Sequence, residues 1–277
     1  MLGSALALAL DPARIVGAVG IEPDGWQAAV LRSSASQLLL NCSRQSGKST
    51  VTAGVAVHTA LYEPGALVLI VSPSLRQSGE LFKKCLALYR ALDRPVPAEA
   101  ETRLTLELAN GSRIVSLPGR DETIRGYSGV RLLTIDEAAQ VPDDVYAALR
   151  PMLAVSGGRL IALSTPFGKR GWWYRAWTEG GDGWERYEVP ATACPRISPA
   201  FLAEERRSLG DWWFDQEYLC GFRDTQDAVF STEALDRAAS DAVRTLYVPG
   251  WEDDDDGHVE TRDVPGGADT WWLAARA

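Results

Sequence analysis

Hydrophobic positions along this chain fall into short unbroken runs more often than into alternation. Leu38-Leu39-Leu40, Ala66 to Val71, Val130 to Ile135 and Arg159 to Ser164 read as strands buried on both faces, the pattern of a parallel sheet covered by helices. Between the first two runs, Val51, Val55 and Thr59 recur at helical spacing, and Gln77 to Leu92 predicts an amphipathic helix. Ser4 to Arg32 reads as helical, ending in a lead-in segment with a turn at Glu22-Pro23-Asp24-Gly25. Thr102 to Leu108 and Arg113 to Leu117 flank Asn110-Gly111, a strong hairpin signal. A Trp-rich helix follows Gly168, and Arg186 to Val189 supplies one more strand. Phe201 to Phe222 is a mixed helical region, with charges on one side and Leu209, Trp213, Phe214 and Tyr218 on others; it suits a small lid or any packing helix. Beyond Thr232 the periodicity fades, and Asp253 to Asp256 lie in a Gly- and Asp-rich stretch that reads as a solvated tail.

A length of 277 residues allows one large or two modest domains. The formal net charge of −9 argues at first against a nucleic-acid partner, but eight acids against two Arg lie from Gly250 onward, so the remainder carries only about −3. Overall charge therefore excludes little. Cys42, Cys85, Cys194 and Cys220 are scattered without a CxxC pair, which fits a reducing cytoplasm and argues against a zinc site or disulfide framework. The opening LGSALALAL resembles a signal h-region, yet no basic segment follows Met1. No run approaches the ~20 apolar residues of a membrane span, so the chain reads as soluble and intracellular.

Chemistry concentrates where the first strand stops. Ser43, Arg44, Gln45, Ser46, Gly47, Lys48, Ser49 and Thr50 stand between that strand and a helix, the context of a phosphate-binding loop. Loop N–H groups and the helix dipole would surround nucleotide phosphates; Lys48 would reach the terminal phosphates and the Ser49 hydroxyl would ligate Mg2+. The usual motif has a further Gly five residues before Gly47, where this chain has Cys42, so the match is partial. Gln27, just ahead of the loop strand, is either a surface amide opening a helix or a reader of adenine's N6 and N7 edge. The strand ending at Ile135 runs into Asp136 and Glu137, at the strand end where open parallel sheets place their ligands. Asp136 suits a metal ligand and Glu137 a base for attacking water; the plainer reading is acidic decoration ahead of a helix. Ser164-Thr165-Pro166-Phe167-Gly168 is either a plain turn or a set of hydroxyls that senses the γ-phosphate. Together with a strand lying between the loop and the Asp-Glu pair, these parts describe a P-loop NTPase of the additional-strand catalytic-glutamate type: α/β, a mostly parallel central sheet flanked by helices, with a small helical lid.

The combination resembles the ATPase (motor) domain of the large terminase subunit of tailed bacteriophages. The residues that carry the resemblance are Pro23 to Gln27, Ser43 to Ser49, Ile124-Arg125-Gly126, Thr134 to Ala139, Ser164 to Gly168 and Gln216-Glu217-Tyr218-Leu219, across roughly Leu8 to Phe230. In that family the loop form without its first Gly is usual, which accounts for Cys42. The resemblance implies ATP and Mg2+ as cofactors and ATP hydrolysis that drives double-stranded DNA into a prohead. It implies a γ-phosphate contact for Arg44 and an arginine supplied to a neighbouring subunit for Arg125, with Arg120 as the rival. It makes Ser164, Thr165 and Pro166 the coupling turn. Implied partners are double-stranded DNA, a phage portal protein, a small terminase subunit and further copies in a pentameric ring, in the cytoplasm of a bacterial host. The expected layout is an N-terminal segment and ATPase core over 1–195, a lid over 196–232, and an acidic tail over 233–277 at the junction to a missing nuclease domain. No nuclease activity is expected of the chain. The alternatives are a helicase-like DNA-dependent ATPase and a non-catalytic assembly or DNA-binding module.

Overall fold

In a computed structural model the described residues are 2–119, 124, 126–224, 234, 237 and 238, with side chains from Leu6 onward. Arg120, Arg125 and most of the expected acidic tail lie outside the described residues. The chain divides into two units, Met1–Asp227 and Ala228–Ala277; in the second, Ala234, Arg237 and Ala238 are helical.

The first unit is built on one eight-stranded sheet. In chain order its strands are β1 (Gln37–Cys42), β2 (Leu67–Ser72), β3 (Ala98–Glu101), β4 (Thr105–Leu108), β5 (Arg113–Pro118), β6 (Val130–Asp136), β7 (Arg159–Ser164) and β8 (Glu185–Val189). They lie side by side as β3-β4-β5-β2-β6-β7-β1-β8. The ladders from β5 through to β8 are parallel, and only the β3-β4-β5 edge is antiparallel. Helices α1 (Leu2–Leu10), α2 (Arg14–Gly17), α3 (Gly25–Arg32), α4 (Lys48–Tyr62), α5 (Leu75–Ala91), α6 (Asp143–Leu149), α7 (Gly171–Thr178) and α8 (Pro199–Tyr218) connect and cover them.

The continuous apolar runs are explained by two cores. Leu38, Leu40, Val68, Ile70, Ile161 and Leu163 face one core with α4 and α5. Their neighbours Leu39, Leu69, Val71, Leu133, Ile135, Leu160 and Ala162 face the other, with Leu149, Trp172 and Trp173. Successive strand residues point to opposite faces; with both faces covered, positions of both parities are apolar along these runs. Tyr146 stacks on Trp172 with ring centroids 3.9 Å apart, and Trp173 meets Trp172 edge-on, so aromatic area closes the second core.

One expectation needs correction and two gain detail. The helical lead-in is three short helices, because Pro12 and the Gly20 to Pro23 stretch interrupt it. The hairpin gains an outer strand, β3, whose Ala-Glu-Ala-Glu sequence half-exposes alternate residues on an edge. The strand lying between β1 and β6 in space is β7, whereas β2, which intervenes in sequence, lies on the far side of β6.

Sheet and loop packing is close at Gly158, where an added Cβ would come within 2.0 Å of the Val130 carbonyl oxygen and 3.0 Å of the Arg131 oxygen. Backbone cannot yield as a side-chain tip does. Gly158→Ala is therefore expected to cost about 3 kcal/mol or more of stability, read as a lowered denaturant midpoint at unchanged m-value.

Candidate functional site

Strand register brings the chemistry together. Asn41 on β1 lies beside Ser164 on β7, and Leu163 on β7 lies beside Asp136 on β6. The phosphate-loop start, the hydroxyl turn and the acidic tip thus share one level at the carboxyl edge of the sheet, where open α/β sheets hold ligands. β8 extends the same edge, since the Ser43 N–H donates to the Val189 carbonyl at 3.0 Å.

The loop turns through two left-handed residues, Gln45 at φ 61° and Gly47 at φ 94°. At Gly47 the backbone angle is what favours glycine; a Cβ there would stand 2.6 Å from Gln27 Nε2, a side-chain tip that would have to shift. Cys42 does not need to be Gly. It has no left-handed backbone, its side chain is fully buried in the first core, and burial pushes its thiol far above the ordinary range. Immediately after Gly47, α4 begins at Lys48, so its first N–H groups, without intrahelical acceptors, open toward the loop. Lys48 is 8% exposed and its Nζ lies 3.5 Å from the Ser43 carbonyl. Ser49 and Thr50 follow, both half-buried.

Asp136 is buried, and desolvation pushes its carboxyl up to about 6; the Glu137 charge adds to the rise and Lys48 opposes it. Glu137 itself takes a left-handed backbone, φ 50° and ψ 43°, and its N–H donates to Asp136 Oδ1 at 3.0 Å. Non-glycine residues rarely adopt that conformation, and where they do it often marks a functional site. The fit to a magnesium nucleotide rests on this donor set: a hydroxyl and a carboxylate for a hard cation, a buried ammonium for phosphate, and Asn41 Oδ1 and Ser164 Oγ buried without a partner among the described residues.

The raised Asp136 carboxyl has a consequence for stability. A folded-state value above the ordinary 3.8 means charging opposes folding, fully above about pH 6 and less as pH falls toward 3.8. Asp136→Asn is expected to raise the thermal midpoint of the nucleotide-free protein at pH 7.5, by on the order of 1–3 kcal/mol in stability. At pH 4 the difference is expected to vanish.

Arg44 and Gln27 are both engaged within the chain. The Arg44 N–H donates to the Glu217 carbonyl at 3.2 Å and its guanidinium pairs with the Glu217 carboxylate, at the end of α8. Glu217, and more weakly Glu137, hold the Arg44 guanidinium in its charged form. Gln27 is 5% exposed; its Oε1 accepts the Asp24 N–H at 2.9 Å and its Nε2 donates to the Ser46 carbonyl at 3.3 Å. It braces the loop, with both ends of its amide occupied. Arg196 grips Asp24 with two hydrogen bonds, 2.9 and 2.6 Å, and donates to the same Ser46 carbonyl at 3.3 Å.

Sequence reasoning assigns no role to Glu217, Gln216 or Arg196. Gln216 and Glu217 are at least part of a segment that carries the family resemblance. Arg196 has no local signal, since its partners are 150 and 172 residues away. Ser164 and Thr165 are buried at the β7 tip, Pro166 follows, and the Gly168 N–H donates to Gln216 Oε1 at 3.3 Å. Among the described residues no helix is long and apolar enough to cross a membrane, and no cluster of His, Cys, Asp and Glu is arranged for a metal by itself.

Comparison with known proteins gives a consistent set of similarities. A family model described as terminase large subunit, T4likevirus-type, N-terminal, matches residues 39–237. The terminase large subunit of Thermus virus P23-45 is 27% identical over 250 residues, covering 77% of this chain and 51% of that protein. That of Escherichia phage T5 is 27% identical over 232 residues, covering 79% and 52%. The chain thus spans about half the length of the curated relatives it matches. Among solved structures, the large terminase ATPase domain of Thermus phage P74-26 superposes with a TM-score of 0.67 at 24% identity, over 74% of this chain and 96% of that one. The large terminase of a thermophilic bacteriophage, solved in complex with ADP, superposes with a TM-score of 0.60 at 12% identity, over 72% and 54%.

Proposed function

The chain belongs to the T4likevirus-type terminase large-subunit family through its N-terminal part, and on that footing we propose that it hydrolyses ATP to move double-stranded DNA into a viral prohead. The observation that carries the reading is the meeting of Lys48, Asp136, Glu137 and the Ser164–Gly168 turn at one edge of the sheet. In this reading the loop from Ser43 to Thr50 and the start of α4 cradle the phosphates, and Lys48 neutralises the terminal ones. Ser49 and Asp136 would hold Mg2+, which supplies charge neutralisation between the phosphates. Glu137 takes the proton of the attacking water as its oxygen bonds the γ-phosphorus and the bond to ADP breaks. Solved complexes of the thermophilic-phage terminase with ADP and with ATP-γ-S support nucleotide binding in this fold.

Further parts of the proposal rest on the family. Arg44, released from Glu217, contacts the γ-phosphate; Arg125, or its rival Arg120, serves a neighbouring copy's nucleotide; Gln27 lies on the adenine side of the loop. The expected lid, 196–232, contains α8, and the ATPase core precedes it. DNA, portal protein, small terminase subunit and a ring of copies in the host cytoplasm are the partners of the whole protein. Phosphate release with and without duplex DNA tests the reading. Magnesium-dependent turnover that duplex DNA stimulates is expected; failure to bind ATP overturns it.

For Arg125 the measurement is complementation. Arg125→Ala chains mixed with Glu137→Gln chains are expected to regain turnover that neither shows alone, because one retains the base and the other the arginine. No recovery in demonstrably mixed assemblies would remove Arg125 from that role.

A further inference from the structure

The last helix is two helices. Gly210 interrupts α8 at φ 75° and ψ 164°, a conformation essentially reserved for glycine, while a Cβ there would meet nothing within 4 Å. Backbone angle, not space, demands glycine at this joint. The half before it is largely exposed; the half after it carries buried Phe214, Gln216 and Tyr218.

That second half and the residues just beyond it are fastened to several segments at the nucleotide edge. Glu217 takes both the N–H and the guanidinium of Arg44 in the phosphate loop. The Cys220 carbonyl accepts Asn41 Nδ2 from the β1 tip at 3.0 Å, and Cys220 Sγ donates to the Val189 carbonyl at the end of β8 at 3.3 Å. Lys169 lies 3.5 Å from Asp224. Gln216 Oε1 accepts the Gly168 N–H. Of these ties, the last differs in kind. Gln216 is 2% exposed, a site where an apolar side chain would ordinarily sit, and the group it satisfies is a buried main-chain amide. Such an amide left unpaired costs its full desolvation, so the turn and the helix are held to move together. The joined group is backbone, so the tie follows the main chain of the turn and not one of its side chains.

We propose that Gln216 is a positioning residue that carries the state of the Ser164–Gly168 turn into the half-helix after Gly210, which pivots at that glycine. The inference rests on the ATP reading of the site. It adds which atom receives the signal and where the moving part begins. Ser164, beside Asn41 in register and with its hydroxyl unpaired, is the sending end.

Amide hydrogen exchange on the full chain, with and without a non-hydrolysable ATP analogue and Mg2+, tests it. In the wild type, protection at 47–51 is expected together with a change at Gly168 and across 211–221. Gln216→Met keeps length and loses the acceptor. It is expected to exchange Gly168 about tenfold faster, keep the analogue-induced protection at 47–51, and lose the response across 211–221. Its kcat is expected to fall at least about tenfold with KM within about twofold, the signature of an interaction made after binding. An equal 211–221 response in the variant overturns the proposal. So does a wild type that protects 47–51 without any change at 211–221, an arm that needs no variant to fold. Absence of protection at 47–51 in the wild type overturns the ATP reading, and this inference with it.

Discussion

Lys48→Ala is expected to lower ATP affinity by at least about 100-fold and to bring hydrolysis to background. Lys48 is buried at the start of α4 with its ammonium near the Ser43 carbonyl. Its charge is the largest of those that restrain the upward shift at Asp136. Arg44, the other loop cation, is turned to Glu217. Without Lys48, a triphosphate entering the loop would meet two carboxylates, with backbone dipoles against them and an Arg44 that must first leave Glu217. The distinguishing measurement is direct: titration with a fluorescent ATP analogue at constant Mg2+. Affinity equal to wild type would remove the loop from the site. The variant is expected to stay folded, because Lys48 faces the loop and the hydrophobic positions of α4 are untouched.

How much of this was legible in sequence depends on the range of the interaction. The β1 run, the loop and the first turn of α4 are contiguous, so hydrophobic pattern and Gly47-Lys48-Ser49 located them together. Asp136 and Glu137 were readable because an unbroken apolar run ends on them, and a parallel strand's end is where ligands sit. Spatial order was not readable. Apolar strands buried on both faces look alike, so nothing in β2 or β7 says which one is inserted between β1 and β6. The ties that organise α8 were also invisible: Arg44 and Glu217 are 173 residues apart, Gly168 and Gln216 48 apart. Gly210 gave little warning, since a single glycine inside a helical pattern is commonly tolerated. Edge strand β3 was missed because Ala-Glu-Ala-Glu has little strand propensity and is held by pairing with β4.

Glu137→Gln is expected to separate binding from chemistry. The substitution keeps the side chain's length and its hydrogen-bonding oxygen, and it leaves the N–H to Asp136 Oδ1 in place. What it removes is the ability to take a proton from water as the water's oxygen bonds the γ-phosphorus. Loss of a general base costs ~10²–10⁴ in rate, while the phosphate contacts, which come from Lys48 and the loop, are unaffected. ATP is therefore expected to bind within about threefold of the wild-type affinity and to remain intact over many wild-type turnovers. The contrast with Asp136→Asn sharpens the assignment. That change removes a carboxylate suited to the cation, so its defect is expected to ease partly at raised Mg2+, whereas that of Glu137→Gln is expected to be insensitive to metal concentration. Quench-flow on chain preloaded with labelled ATP reads the chemical step alone. A wild-type rate of γ-phosphate cleavage in Glu137→Gln would place the base elsewhere; slow cleavage with unaltered ATP affinity assigns it to this carboxylate.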